Sequence, residues 1–203
     1  MNLPNLVSRV RILLDDLKGG KYPDSFIQAM INEGLRDLCR KTKILEDTDT
    51  ALTYSSTYDG FALPSDLIEI KQLLWADSHG NYVKIEARNI DEIYTMRNQW
   101  IDISASEADS LNPMGYGLHE NYIILDSTTQ TSPRLYYYKY DTALSGTSSP
   151  TIDSEYHKYL IDYAVFNIDP NQRDAMSRYN YGIRTILGYR EKSDSTRAEY
   201  RPL

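Results

Sequence analysis

The sequence predicts an α+β fold with helices at both ends and short strands between them. Three observations carry that reading. Apolar residues recur at three- and four-residue spacing from Leu3 to Leu38 and again after residue 155, the period of a helix with one buried face. Over roughly 50–140 the pattern shortens to alternating or β-rich runs broken by turn pairs such as Asp59-Gly60. Finally, 18 Tyr against three Phe dominate the aromatic content. Such rings bury an apolar body, keep a polar tip wet, and suit surfaces that pack against partners.

The first helix is expected along Leu3, Leu6, Val7, Val10, Leu14 and Leu17, stopped by Gly19-Gly20. A second follows along Phe26, Ile27, Met30, Ile31, Leu35 and Leu38. Pro23 and Asp24 stand in its first turn and Arg40, Lys41 and Lys43 at its end, the charge order a helix dipole favours. Both stripes read as core faces. "ALTYSS", "YDGFALPSDLIEIKQLLW" and "NYVKIEAR" then supply strands, and "NIDEIYTMRNQW" a short helix with Ile90, Ile93, Tyr94 and Arg97 on one side. "SASEADSLNPMGYGL" reads as a loop. "NYIILDS" and "PRLYYYKY" read as two strands paired antiparallel across the polar turn Thr128–Ser132.

Beyond a slack Ser/Thr loop at 145–149, "SEYHKYLIDYAVFNI" places Tyr156, Tyr159, Leu160, Tyr163 and Ala164 on one helical face. Asp169-Pro170-Asn171-Gln172 reads as an N-cap, a first-turn Pro and a capping Gln. Met176, Tyr179, Ile183, Ile186 and Leu187 form the stripe of the next helix. The last stretch, 189–203, has no stripe and reads as an arm. It interleaves Arg190, Lys192, Arg197 and Arg201 with Tyr189 and Tyr200, residue types that anchor interfaces.

Composition narrows the function. A chain of 203 residues, 41% hydrophobic and 25% charged, is ordinary for a globular protein and large enough to build a core without staples. No run approaches the ~20 apolar residues of a membrane span, so no membrane partner is expected. The first residues break their apolar run with Arg9, Arg11, Asp15 and Asp16, unlike a secretory signal. Cys39 is the only cysteine and is expected in the core, in a protein made in a reducing cytoplasm. The net charge of -7 opposes a firm grip on phosphates, although it allows contact with DNA that slides past.

Chemistry-bearing motifs are missing from the sequence. His79, His119 and His157 form no HxxxH or HxH pair and read as packed or surface residues. "GYG" at 115–117 lacks the third glycine of a phosphate cradle, and neither GxxxxGK[ST] nor GxSxG occurs. Carboxylates such as Glu46/Asp47/Asp49 and Asp91/Glu92 could supply a glycan hydrolase only if two faced one cleft, and they read first as solvated surface. A DNA-reading helix-turn-helix over 3–41 would have a long turn, "KGGKY", and its basic residues at the wrong end of the second helix. No catalytic residue, metal or cofactor is expected, and the chain reads as a structural protein rather than an enzyme.

The order "INEGLRDLCRKT", "LPSDLIEIKQLLW", "YIILD" and "LYYYKYDTALS…PTIDSEYHKYLIDYAV" resembles the adaptor proteins of tailed bacteriophages over roughly residues 3–168. These build the head-to-tail connector, or neck, beneath the portal; in short-tailed phages they are called tail tubular protein A. The resemblance implies a helical bundle from 1–48 and 151–188, a small antiparallel β-rich region inserted at 49–150, and an extended C-terminal arm at 189–203. It implies a homo-oligomeric ring, commonly a dodecamer, that docks on the portal, meets a tail or nozzle protein, and passes on the DNA channel within the virion neck. The arm residues Tyr189, Arg190, Lys192, Arg197, Tyr200 and Arg201 would then bind the portal or a neighbouring subunit. A tail-completion or tail-tube protein is the alternative.

Overall fold

The computed structural model describes residues 1–77, 79–100, 112–127 and 131–199, with the side chains of 99–100 and 192–199 outside that description. In chain order come α1 (Leu3–Leu13), α2 (Asp24–Thr42), β1 (Glu46–Asp49), β2 (Tyr54–Ser55), β3 (Gly60–Ala62), β4 (Leu67–Ala76) and β5 (Tyr82–Ala87). Then follow α3 (Ile90–Trp100), β6 (Gly115–His119), β7 (Tyr122–Leu125), β8 (Arg134–Lys139), a 3₁₀ turn at Ser154–Tyr156, α4 (His157–Ile168) and α5 (Arg173–Glu199). The chain is α+β and divides into two compact units, Met1–Leu45 with Lys139–Leu203, and Glu46–Tyr138.

In the helical unit, α4 packs against α1, α2 and α5, and α2 also meets α1 and α5. The expected stripes supply the buried side chains: Leu3, Leu6 and Val10 from α1, Ile27, Ile31, Leu35 and Leu38 from α2, Leu160 and Ala164 from α4, Tyr179 and Ile186 from α5. Cys39 is among them, and burial raises its thiol to about 11, leaving it unreactive at neutral pH. Two glycines explain how tyrosines fit here. A Cβ on Gly34 of α2 would stand 2.9 Å from the Tyr163 ring, and one on Gly182 of α5 would stand 2.5 Å from the Tyr159 ring. Each glycine therefore leaves the space one α4 tyrosine fills.

Tyr163 and Tyr179 meet edge to face with centroids 5.1 Å apart. The Tyr179 hydroxyl donates to Asp37 Oδ2 at 2.8 Å, so the most deeply buried phenol is paired. Burial of Asp37 alone would raise its carboxyl, but hydrogen bonds from Lys41, Tyr179 and Arg40 prevail and hold it below its ordinary value.

Three helix ends differ from the sequence reading. α1 stops at Leu13 because Asp15 takes a left-handed φ of 53°, which leaves Leu17 outside the stripe. At the other end of the unit, Asp169 is the C-cap of α4, its amide donating to the Val165 carbonyl at 2.9 Å, rather than the N-cap of α5. Its Oδ1 accepts from Asn171 N (3.2 Å) and Nδ2 (3.0 Å), closing a turn before α5 begins at Arg173. α5 then continues through Glu199, so 189–199 is helical rather than extended.

The second unit is an eight-stranded sheet ordered β1-β8-β4-β5-β6-β7-β3-β2. It is mixed rather than antiparallel throughout, because β5 pairs parallel to β6 (Glu86↔Gly115, Ala87↔Tyr116). The expected β7–β8 hairpin does not form. β7 lies between β6 and β3, and β8 between β1 and β4; of the turn assigned to them, 128–130 lies outside the described residues. Two strands went unforeseen: β1, "EDTD", and β6, "GYGLH", whose residues fell in the expected loop; 101–111 of that stretch lie outside the described residues.

The core of this unit gathers Phe61, Leu73, Trp75, Ile85, Ile123 and Leu135, with the Tyr116 and Tyr137 rings. Gly117 explains why the "GYG" run is a strand: a Cβ there would stand 3.0 Å from the Ile90 Cα, so α3 lies directly on β6. Among the strand's residues, Tyr116 belongs to the core cluster.

Candidate interaction surfaces

Four of the arm residues named from the sequence have a described place in the backbone. Tyr189 lies on α5 and is 59% exposed. Arg190 Nη1 donates to the Thr42 carbonyl at 2.9 Å, tying α5 to the end of α2. Lys192 and Arg197 sit on the helical backbone of α5, their side chains outside the described residues, as Tyr200 and Arg201 are entirely. Tyr181, two turns before Tyr189 on the same helix, is also exposed.

A second surface was not foreseen. The α1–α2 turn exposes Ile12 (53%), Leu13 (48%), Leu17 (72%) and Phe26 (41%) within fifteen positions. Polar bonds behind them hold the turn in place. Arg11 Nη1 meets Asp16 Oδ2 at 2.7 Å, its Nε donates to Asp24 Oδ1 at 3.0 Å, and Nη2 donates to the Tyr22 carbonyl at 2.8 Å. Asp16 also accepts the amides of Lys21 and Tyr22, both at 3.1 Å. Those backbone hydrogen bonds, the Lys21 amide first, hold the Asp16 carboxyl below its usual range. Large apolar side chains displayed on a well-tied turn are what a docking surface requires. The only sign in the sequence was Leu17, which matched the helical period but lay past the point where the helix could continue.

Arginine ties the sheet unit in a similar way. Arg97 of α3 meets Asp59 Oδ2 at 2.5 Å and donates to the carbonyls of Leu125 (2.6 Å), Ser127 (3.0 Å) and Asp59 (3.1 Å). Asp59 itself adopts a left-handed φ of 50° and accepts the Tyr54 hydroxyl. The clamp fixes the β2–β3 turn beside α3 and β7. That turn and its neighbours carry Tyr58, Tyr94, His119 and Tyr122 as a surface aromatic cluster.

Two recesses stand out among the described residues. One of about 170 Å³ on the helical unit is lined by Glu33, Arg36, Asp37, Arg40, Tyr140 and Tyr163. Another of about 510 Å³ on the sheet unit is lined mainly by Leu67, Ile68, Ile70, Ile90, Tyr116 and Leu118. Among the described residues no group of three His, Cys, Asp or Glu is placed to hold a metal, and no helix is long and apolar enough to cross a membrane.

Tied turns that present apolar and aromatic side chains outward are the features of a protein that works by contact with other proteins. The SU10 adaptor protein family model matches residues 1–202, and the chain belongs to that family of phage head-to-tail adaptors. It is thus a structural adaptor of the phage particle. No curated protein matches it.

Proposed function

We propose that the chain is a ring-forming subunit of the head-to-tail connector, seated in the virion neck between portal and tail. The observation that carries this reading is the adaptor-family match along nearly the whole chain, residues 1–202. In this reading α1, α2, α4 and α5 are the bundle on which the ring is built, and the sheet unit is the insertion. Copies meet through heterologous head-to-tail contacts, which close into rings when the rotation permits; twelve copies would match a dodecameric portal. The tied α1–α2 turn and the exposed α5 tyrosines supply surfaces of the right kind for those contacts. The segment 189–203, with Tyr189, Arg190, Lys192, Arg197, Tyr200 and Arg201, contacts the portal or a neighbouring subunit, and a tail or nozzle protein docks below.

The ring passes DNA without gripping it. A channel wall rich in lysine or arginine would hold phosphates through counterion release, and the net charge of -7 supports an acidic or neutral lumen. No catalytic step is assigned to the chain in this reading. Co-expression with the portal of the same phage tests it: the two proteins should co-sediment as one ring-shaped complex, and truncation after residue 188 should abolish that complex. A chain that never sediments with the portal would overturn the docking role.

A further inference from the structure

Six tyrosines of this chain, from Tyr22 beneath Lys21 to Tyr159 beneath Lys158, carry one of the chain's own cations 4.1–5.6 Å from the ring centroid. The surface cluster on the sheet unit differs from these six. Tyr58 and Tyr122 stack with centroids 4.2 Å apart, and His119 lies 6.4 Å from both Tyr58 and Tyr94. Among the described residues no Lys or Arg is placed over any of these rings. Arg97, which clamps the turn, is spent on Asp59 and three backbone carbonyls.

The charge beside the cluster is negative. Glu120, at a left-handed φ of 51° at the β6–β7 tip, lies close enough to raise the Tyr58 phenol. Ring faces carry negative potential, so rings with an adjacent carboxylate attract a cation and repel an anion. The platform is also fixed in advance, because the Arg97 clamp holds the Tyr58 turn while Tyr94 rides one turn earlier on the same helix. A site so ordered loses little freedom when a ligand arrives.

We propose that Tyr58, Tyr94, His119, Tyr122 and Glu120 form a receptor for a cationic side chain, an arginine or lysine presented by a partner protein. The guanidinium or ammonium lies against the Tyr58–Tyr122 stack and pairs with the Glu120 carboxylate. The site goes beyond the adaptor reading and does not depend on it: a failure to dock on a portal would leave it standing.

The test titrates the full chain with a capped tri-arginine peptide and, as a neutral isostere, a capped tri-citrulline peptide, following backbone amide shifts. The arginine peptide should shift the amides of Tyr58, Tyr94 and residues 119–122, and citrulline should not. Tyr122→Ala should remove the response. Glu120→Gln, an exposed change that keeps the hairpin, should weaken it about two- to five-fold, the range of an exposed ion pair. Equal shifts from both peptides, shifts confined to other residues, or an unchanged affinity in Glu120→Gln would overturn the proposal. So would an oligothymidylate that shifts the same amides in place of the arginine peptide, since the rings would then serve base stacking.

Discussion

Replacing Gly182 with alanine probes how the tyrosines are packed. The new Cβ would lie 2.5 Å from Tyr159 Cδ1 and Cγ and 2.6 Å from Cε1, against carbon contacts of about 3.5–4 Å in a packed interior. Tyr159 is 6% exposed, so its ring has to move roughly 1 Å against packed neighbours. Overpacking of this size costs about 1–3 kcal/mol, while alanine's better helix propensity offsets about 0.8–1 kcal/mol. The net is a loss of up to roughly 2 kcal/mol. Gly188, six positions later on the same helix, has nothing within 4 Å of its hypothetical Cβ. There the same substitution should stabilise by about 0.4–1 kcal/mol. At about 2–4 °C per kcal/mol for a chain of this size, far-UV circular dichroism melts should move in opposite directions for the two variants. If Gly182→Ala melts at or above the parent, or both variants shift the same way, the glycine–tyrosine packing account is wrong.

Three further outcomes follow from the geometry. Tyr179→Phe removes the hydroxyl that donates to Asp37 at 2.8 Å in a fully buried position, and denaturant titration should show a loss of about 1–2 kcal/mol. His157 is buried, which lowers its affinity for a proton below the ordinary 6.5, aided by the nearby Met1 amino group; the unfolded chain therefore binds more protons, and stability should fall as pH drops from 7.5 toward 5.5. In His157→Gln that slope should flatten, as read from melting midpoints across the range. Leu17→Glu, at a side chain 72% exposed, should leave the melt of the isolated chain within about 0.5 kcal/mol of the parent yet reduce assembly with partner proteins, measured by sedimentation.

The helices were legible because their stripes are local: Leu3 to Val10, Ile27 to Leu38 and Leu160 to Ala164 announce their buried faces through spacing alone. Their ends were less so. Leu17 kept the period, but the left-handed turn at Asp15 and the Asp16 bonds to Lys21 and Tyr22 stop α1 earlier. The continuation of α5 past residue 188 was hidden for the opposite reason. "REKSDSTRAE" carries no stripe, but Arg, Glu, Lys and Ala favour a helix without one.

Strand pairing was the least legible. β1 is all polar or charged, so alternation gave no signal, and β6 has glycines where strands ordinarily carry β-branched residues. The glycines are there because α3 and the Arg88 side chain approach the backbone closely. β7 and β8 are sequence neighbours that pair with other strands, and partner choice between distant strands leaves no local mark. The arm residues stand out in the sequence only as residue types that anchor interfaces. The α1–α2 turn and the Tyr58 cluster were not legible, because each depends on an arginine clamp assembled from separate segments.

The central claim is tested most directly by cryo-electron microscopy of intact virions of the phage that encodes this chain. The account predicts a closed ring of this protein in the neck, directly beneath the portal and coaxial with the DNA, with its β-sheet units and C-terminal helices resolved in every copy. Particles in which this protein is absent, or sits at another vertex or further down the tail than the portal contact, would contradict it.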